Sequence, residues 1–146
     1  MKGKNKTMST VQTSIRIQEK TLKEVKQIAQ ESGKGFSTVA NELLAEAVKM
    51  QRCPGIIFSE GTRGHRARIA GTGIEVWEVI ITYKSVSKKF DRLRKAYHWF
   101  TEQQLKSALG YYKTYPEEID HLIKQNEELT KEVSYKRYPF LARGIR

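Results

Sequence analysis

The stretch TSIRIQEK, residues 13–20, decides how this chain is read. From Gln12 to Ile17, polar side chains alternate with ones that can be buried, the period-two pattern of a half-buried strand. Helical spacing takes over almost at once, and no second strand follows nearby. A strand needs a partner for its backbone N–H and C=O groups. With none in its own domain, the simplest candidate is the same strand of a second copy of the chain.

Downstream, Leu22, Val25, Ile28 and Ala29 fall at helical spacing, with Lys20, Lys23, Glu24, Lys26 and Gln27 on the other side. Ser32-Gly33-Lys34-Gly35 should end this helix, because Gly33 can take the left-handed conformation that closes one. A second helix is expected in FSTVANELLAEAVKM, residues 36–50, with Ser37 as N-cap and Phe36, Ala40, Leu43, Leu44 and Ala47 as its apolar stripe. One strand and two short helices bury too little to stand alone. An obligate homodimer is therefore expected.

Residues 11–50 resemble the ribbon-helix-helix DNA-binding domain of Arc, MetJ and CopG type repressors. The strand, the glycine-containing turn, the Ser-capped second helix and their spacing carry the resemblance together, while Gln18 departs from the better N-cap residue usual where strand meets helix. The family implies two strands pairing antiparallel across the dimer axis and lying in the major groove of double-stranded operator DNA. Thr13, Ile15 and Ile17 would face the shared core. Gln12, Ser14 and Arg16 would then face base edges, where Arg suits guanine, Gln suits adenine and Ser accepts several bases. Lys34, Ser37 and Thr38, at the start of the second helix, would hold a phosphate. The plainer reading is a dimerisation ribbon with a solvated outer face.

Pro54 marks a change of character, with glycines and basic residues interrupting short apolar runs. Extended pieces are predicted around GIIF and RARIAG, then helices near Val76–Ser85, Phe90–Tyr97 and Thr101–Tyr112, with a further helix in PEEIDHLIKQNEEL after Pro116. Pro54-Gly55-Ile56, the run Arg66 to Gly71, Val76-Trp77 and the helix from Leu105 to Tyr112 leading into YPEEID resemble a small prokaryotic domain of unknown function found in antitoxins of the VapB-like class. That resemblance implies a helix-turn-helix type of fold and a partner among PIN-like ribonuclease toxins. Arg63, His65, Arg66 and Arg68 read either as a solvated loop or as a second basic contact, to phosphate or to an acidic partner. Trp77, Tyr97, Trp99 and Phe100 are expected to build the small core.

Ile119, Leu122, Asn126, Leu129 and Val133 follow heptad positions, as in a short coiled coil or an amphipathic helix packed on its own domain. The tail SYKRYPFLARGIR reads as a segment that orders on a partner. Antitoxin tails in PIN-type systems often place an arginine among the toxin's metal-binding carboxylates, which makes Arg137, Arg143 and Arg146 candidates without choosing among them.

Composition limits the rest. The net charge of +11 on 146 residues points to polyanions, and the excess is uneven. Residues 1–52 hold ten Lys/Arg against five Asp/Glu, residues 53–113 eleven against five, and residues 114–146 six against six. No apolar run is long enough to span a membrane, and MKGKNKTMST lacks the apolar segment of a signal peptide, so a cytoplasmic protein without a membrane partner is expected. One cysteine, Cys53, and three scattered histidines offer no metal grouping. GTRGHRARIAGTG lacks the GK[ST] ending of a nucleotide loop, and no nucleophile, base and orienting group stand in recognisable spacing. Neither a cofactor nor an enzyme is expected.

The expected architecture is thus mainly α: a flexible basic arm at 1–10, a ribbon-helix-helix domain forming an intertwined dimer at 11–52, a small helix-turn-helix-like domain at 53–126, and a helix end with a partner-binding tail at 127–146. The expected function is that of a type II antitoxin that represses its own operon and neutralises a PIN-like ribonuclease toxin. A plain plasmid or phage repressor without a toxin partner is the alternative.

Overall fold

The computed structural model describes residues 9–59 and 64–143, the last two of these as backbone only. The chain is mostly helical, in the order α1 (Glu19–Ser32), α2 (Phe36–Arg52), β1 (Ile56–Ser59), β2 (Arg66–Ile69), α3 (Val76–Ser85), α4 (Phe90–Ala96), α5 (Glu102–Thr114), α6 (Pro116–Arg137) and α7 (Phe140–Arg143).

The expected N-terminal ribbon-helix-helix is overturned. Residues 9–18 form no strand, and the strands among the described residues are β1 and β2, which follow two helices and pair with each other. Alternating side chains are only half of what a strand requires; the other half is a neighbouring backbone to take its hydrogen bonds. The segment 12–17 has no such neighbour among the described residues, and all of it is exposed, with Ile15 at 67%.

Two compact units divide the chain, Met1–Ala45 and Glu46–Arg146, with the division falling inside α2. In the first, α1 ends as its sequence dictates. Gly33 adopts φ +67°, its N–H donates to the Gln30 carbonyl, and Lys34 N–H donates to the Ala29 carbonyl. Gln18 at the head of α1 makes no side-chain cap. Helix α2 begins at Phe36, one residue ahead of the expected N-cap, so Ser37 lies inside its first turn. Only Ala29 and Val39 are buried among the described residues of this unit. Val39 lies outside the expected stripe, whereas Leu44 and Ala47 from that stripe are exposed.

The second unit holds the core. Strands β1 and β2 form an antiparallel hairpin, Ile56 opposite Ile69 and Ser59 opposite Arg66. Its inward residues Ile56, Ala67 and Ile69 join Val76, Val79 and Ile80 of α3, Leu93 of α4, Leu105, Ala108 and Tyr111 of α5, Ile119 of α6, and Cys53. The helix starts have clear local causes. Thr101 accepts from Gln104 N–H while the Gln104 side chain accepts from Thr101 N–H, a reciprocal capping box for α5. Pro116 occupies the first turn of α6, where its missing N–H removes no helical bond. The helix then runs past the expected Leu129 to Arg137. Phe100 is buried and Trp77 and Tyr97 are half-buried, as the expected aromatic core requires, but Trp99 is 60% exposed.

Candidate nucleic-acid and partner interfaces

Unit 1 presents its cations from an open surface. Gln12, Ser14 and Arg16 are exposed on the segment ahead of α1, without the strand that would have aligned them. Lys34 is held by Glu42, its Nζ donating to both carboxylate oxygens at 3.1 Å, so a phosphate there must compete with an anion already in place. Ser37 and Thr38 are exposed in the first turn of α2, and the Ser37 carbonyl accepts from Asn41 at 2.8 Å. Glu42 was not evident from sequence, because it stands eight residues away and meets Lys34 only once α2 has formed.

In unit 2 the arginines of β2 are committed internally. Arg66 and Arg68 each approach the Glu75 carboxylate at 3.8 Å, with side chains only 16%, 20% and 14% exposed. Arg68 also donates to the Gly73 carbonyl at 3.1 Å, while its Nε is buried without a hydrogen-bond partner among the described residues. Trp77 Nε1 donates to the same Glu75 carboxylate. This is a brace between the hairpin and the start of α3. His65 Nδ1 lies 2.6 Å from Glu46 Oε1, and Arg63 lies outside the described residues.

A second brace gathers on Glu118. Lys49 of α2 ion-pairs with Oε1, and Tyr111 of α5 donates to Oε2 at 2.6 Å. Burial, reinforced by the neighbouring Glu118 carboxylate, pushes the Tyr111 phenol far above its ordinary value. Nearer solvent, Tyr112 and Lys84 both donate to Asp120 Oδ1, at 2.7 and 3.3 Å, and they hold its carboxyl below its ordinary value.

The candidate partner surface is the outer part of α6 with α7. Ile119 is buried and Leu122 and Asn126 are half-buried, but Leu129 (43%) and Val133 (61%) are bare, as are Tyr138, Phe140 and Leu141. The first part of the expected heptad thus packs on its own unit, and the second part does not. Arg137 is exposed at the end of α6; Arg143 closes α7, and Arg146 lies outside the described residues. Among the described residues, no group of three His, Cys, Asp or Glu side chains is placed to hold a metal ion, and no helix is long and apolar enough to cross a membrane.

No family model and no curated protein matches the chain. Among solved structures, the crystal structure of a DUF433 member protein from Anabaena variabilis is similar, with 28% identity, coverage of 74% of this chain and 99% of that one, and a TM-score of 0.41.

Proposed function

We propose that the chain is a non-enzymatic antitoxin and autorepressor, which binds operator DNA as a homodimer and neutralises a PIN-like ribonuclease toxin. The observation that carries this reading is the pair of surfaces left open at opposite ends of the sequence. At the N-terminal end, Ile15, Ile28 and Leu44 are bare beside the exposed cations Arg16, Lys20 and Lys26, as expected of a unit completed by its own copy and facing a polyanion. At the C-terminal end, a bare apolar helix face leads into an aromatic, arginine-bearing tail, which suits a protein partner with an acidic cleft.

Two experiments test it. The full chain, titrated with DNA from upstream of its own gene and with a scrambled duplex, should prefer the former. The chain should also co-purify with the product of the adjacent gene and suppress that product's toxicity, and removal of residues 135–146 should weaken both effects. Operator selection without capture of a neighbour-encoded protein would replace the antitoxin by a plain repressor. Failure of both would remove the reading.

A further inference from the structure

Between Lys84 and His98 the sequence places five Lys/Arg beyond Lys84 itself against one acidic residue, Asp91, interleaved with Phe90 and Tyr97. Unit 2 sorts these cations into two groups. Lys84 is spent on Asp120, and Arg94 lies 3.9 Å from Glu102. Lys88, Lys89, Arg92 and Lys95 are exposed, and none has a carboxylate within salt-bridge distance among the described residues, although Lys88 is near enough to help depress Asp120.

Their placement follows from the local backbone. Ser87 and Lys88 take φ +58° and +56°, two successive left-handed residues without a glycine, and so turn the chain sharply between α3 and α4. Helix α4 directs Phe90, Leu93 and, at its end, Tyr97 inward, which leaves Arg92 and Lys95, three residues apart, on its outer side. Trp99 follows directly. Its ring rests on Tyr97, His98 and Phe100, with centroids 5.5, 5.0 and 5.8 Å away, yet most of its surface meets solvent. A helix of this length rises about 10 Å, so the cationic turn stands at one end of a short outer face and the bare indole at the other.

Free cations alone describe a solvated face, and a bare indole alone describes any apolar contact. Together they match the needs of an unpaired nucleotide strand, whose phosphates take lysine and arginine and whose exposed bases stack on an aromatic ring. We propose that the α3–α4 turn, the outer side of α4 and Trp99 form a binding surface for single-stranded nucleic acid, separate from the duplex contact assigned to unit 1. Lys88, Lys89, Arg92 and Lys95 lie along the phosphates, and one base stacks on Trp99.

The test uses the full chain with short fluorescent oligothymidylate and oligouridylate, and with polyglutamate as an acidic-peptide probe. Trp99→Ala should weaken oligonucleotide binding roughly tenfold or more, and Trp99→Phe should recover part of the loss. Binding should quench indole fluorescence in the parent and not in Trp99→Phe. Exchanging Lys88, Lys89 and Arg92 for Gln should flatten the logarithmic salt dependence by about 0.7 for each phosphate no longer neutralised. All these side chains are exposed, and circular dichroism checks that the fold persists. Tighter binding to either oligonucleotide that depends on Trp99 supports the proposal, whichever sugar is preferred. Unchanged oligonucleotide affinity in Trp99→Ala, or a loss no greater than that for polyglutamate, overturns it.

Discussion

Tyr111 donates its phenolic hydrogen to Glu118 across 2.6 Å, from the later part of α5 to the first turn of α6. Lys49 holds the other oxygen of that carboxylate, so three helices meet on one anion. The Tyr111 phenol is raised by burial first and by Glu118 second. The unfolded chain releases this proton near pH 10 and the folded chain does not. The sign follows directly: the contribution is complete below about pH 10 and is lost as pH rises through the higher folded value. Between the two values, folding must resist the ionisation that the unfolded state gains. Denaturant titrations above about pH 10 should therefore lose about 1.4 kcal/mol of stability per pH unit from this group, and Tyr111→Phe should remove that slope. Ultraviolet titration should leave at least one of the seven tyrosines un-ionised until the fold opens.

Asp120 has the opposite sign. Its carboxyl is depressed by the Tyr112 hydrogen bond first and then by Lys84. Its contribution is present above about pH 3.9 and fades as pH falls through the lower folded value. With Asp120 and Lys84 about half exposed, the effect is small. Carboxyl carbon NMR should find the Asp120 midpoint below that of an unstructured aspartate, and Tyr112→Phe should bring it back toward that reference.

Two glycines should respond in opposite directions to alanine. Gly55 sits at φ +91°, and a Cβ there would lie 2.7 Å from Ser107 Oγ and 3.2 Å from Ser107 Cβ. Gly55→Ala should therefore destabilise by about 1–3 kcal/mol. Gly110, inside α5, has nothing within 4 Å of such a Cβ. Gly110→Ala should stabilise by about 0.5–1 kcal/mol. Urea midpoints measured on both variants decide the matter.

Glu75 neutralises two arginines and receives an indole N–H. Glu75→Gln leaves the mostly buried Arg66 and Arg68 without their anion and should cost about 1–3 kcal/mol. Arg68→Met should reduce that cost. A double-mutant cycle with no coupling between Glu75 and Arg68 would show that the approach at 3.8 Å contributes nothing.

Leu44, 57% exposed on α2, should lie at the contact between copies. Sedimentation of the full chain at micromolar concentration should give a dimer, and Leu44→Asp should shift it toward monomer. A monomeric parent chain would remove the homodimer from the proposed function.

Helices were legible wherever their cause is local. Gly33 past α1, Thr101 with Gln104 at α5 and Pro116 at α6 each carry within a few residues the group that starts or stops the helix. The failures lie where the cause is distant. The segment from Gln12 to Ile17 shows the alternation of a strand, but no local signal reports whether a partner backbone exists. Trp99 has the composition of a core residue, and only the turn after α4 decides that Phe100 goes in and Trp99 stays out. Arg66 and Arg68 resemble a free basic cluster until the turn at Gly71 and Gly73 brings Glu75 back against them. Sequence named Arg16 and the tail as interface candidates, and the fold leaves Arg16 exposed, whereas Glu42 beside Lys34 and the unpaired cations around α4 come into view only once the chain is folded.

Cys53, the one thiol in the chain, is 7% exposed and packed into the core of unit 2. Its burial makes it a natural clock for local opening. A thiol reagent in excess must wait until that corner of the core breathes, so the labelling rate measures the opening free energy there without any engineered probe. Run with and without nucleic acid or a captured protein, the same clock registers whether a ligand tightens the region where α2 enters the hairpin, on one native atom.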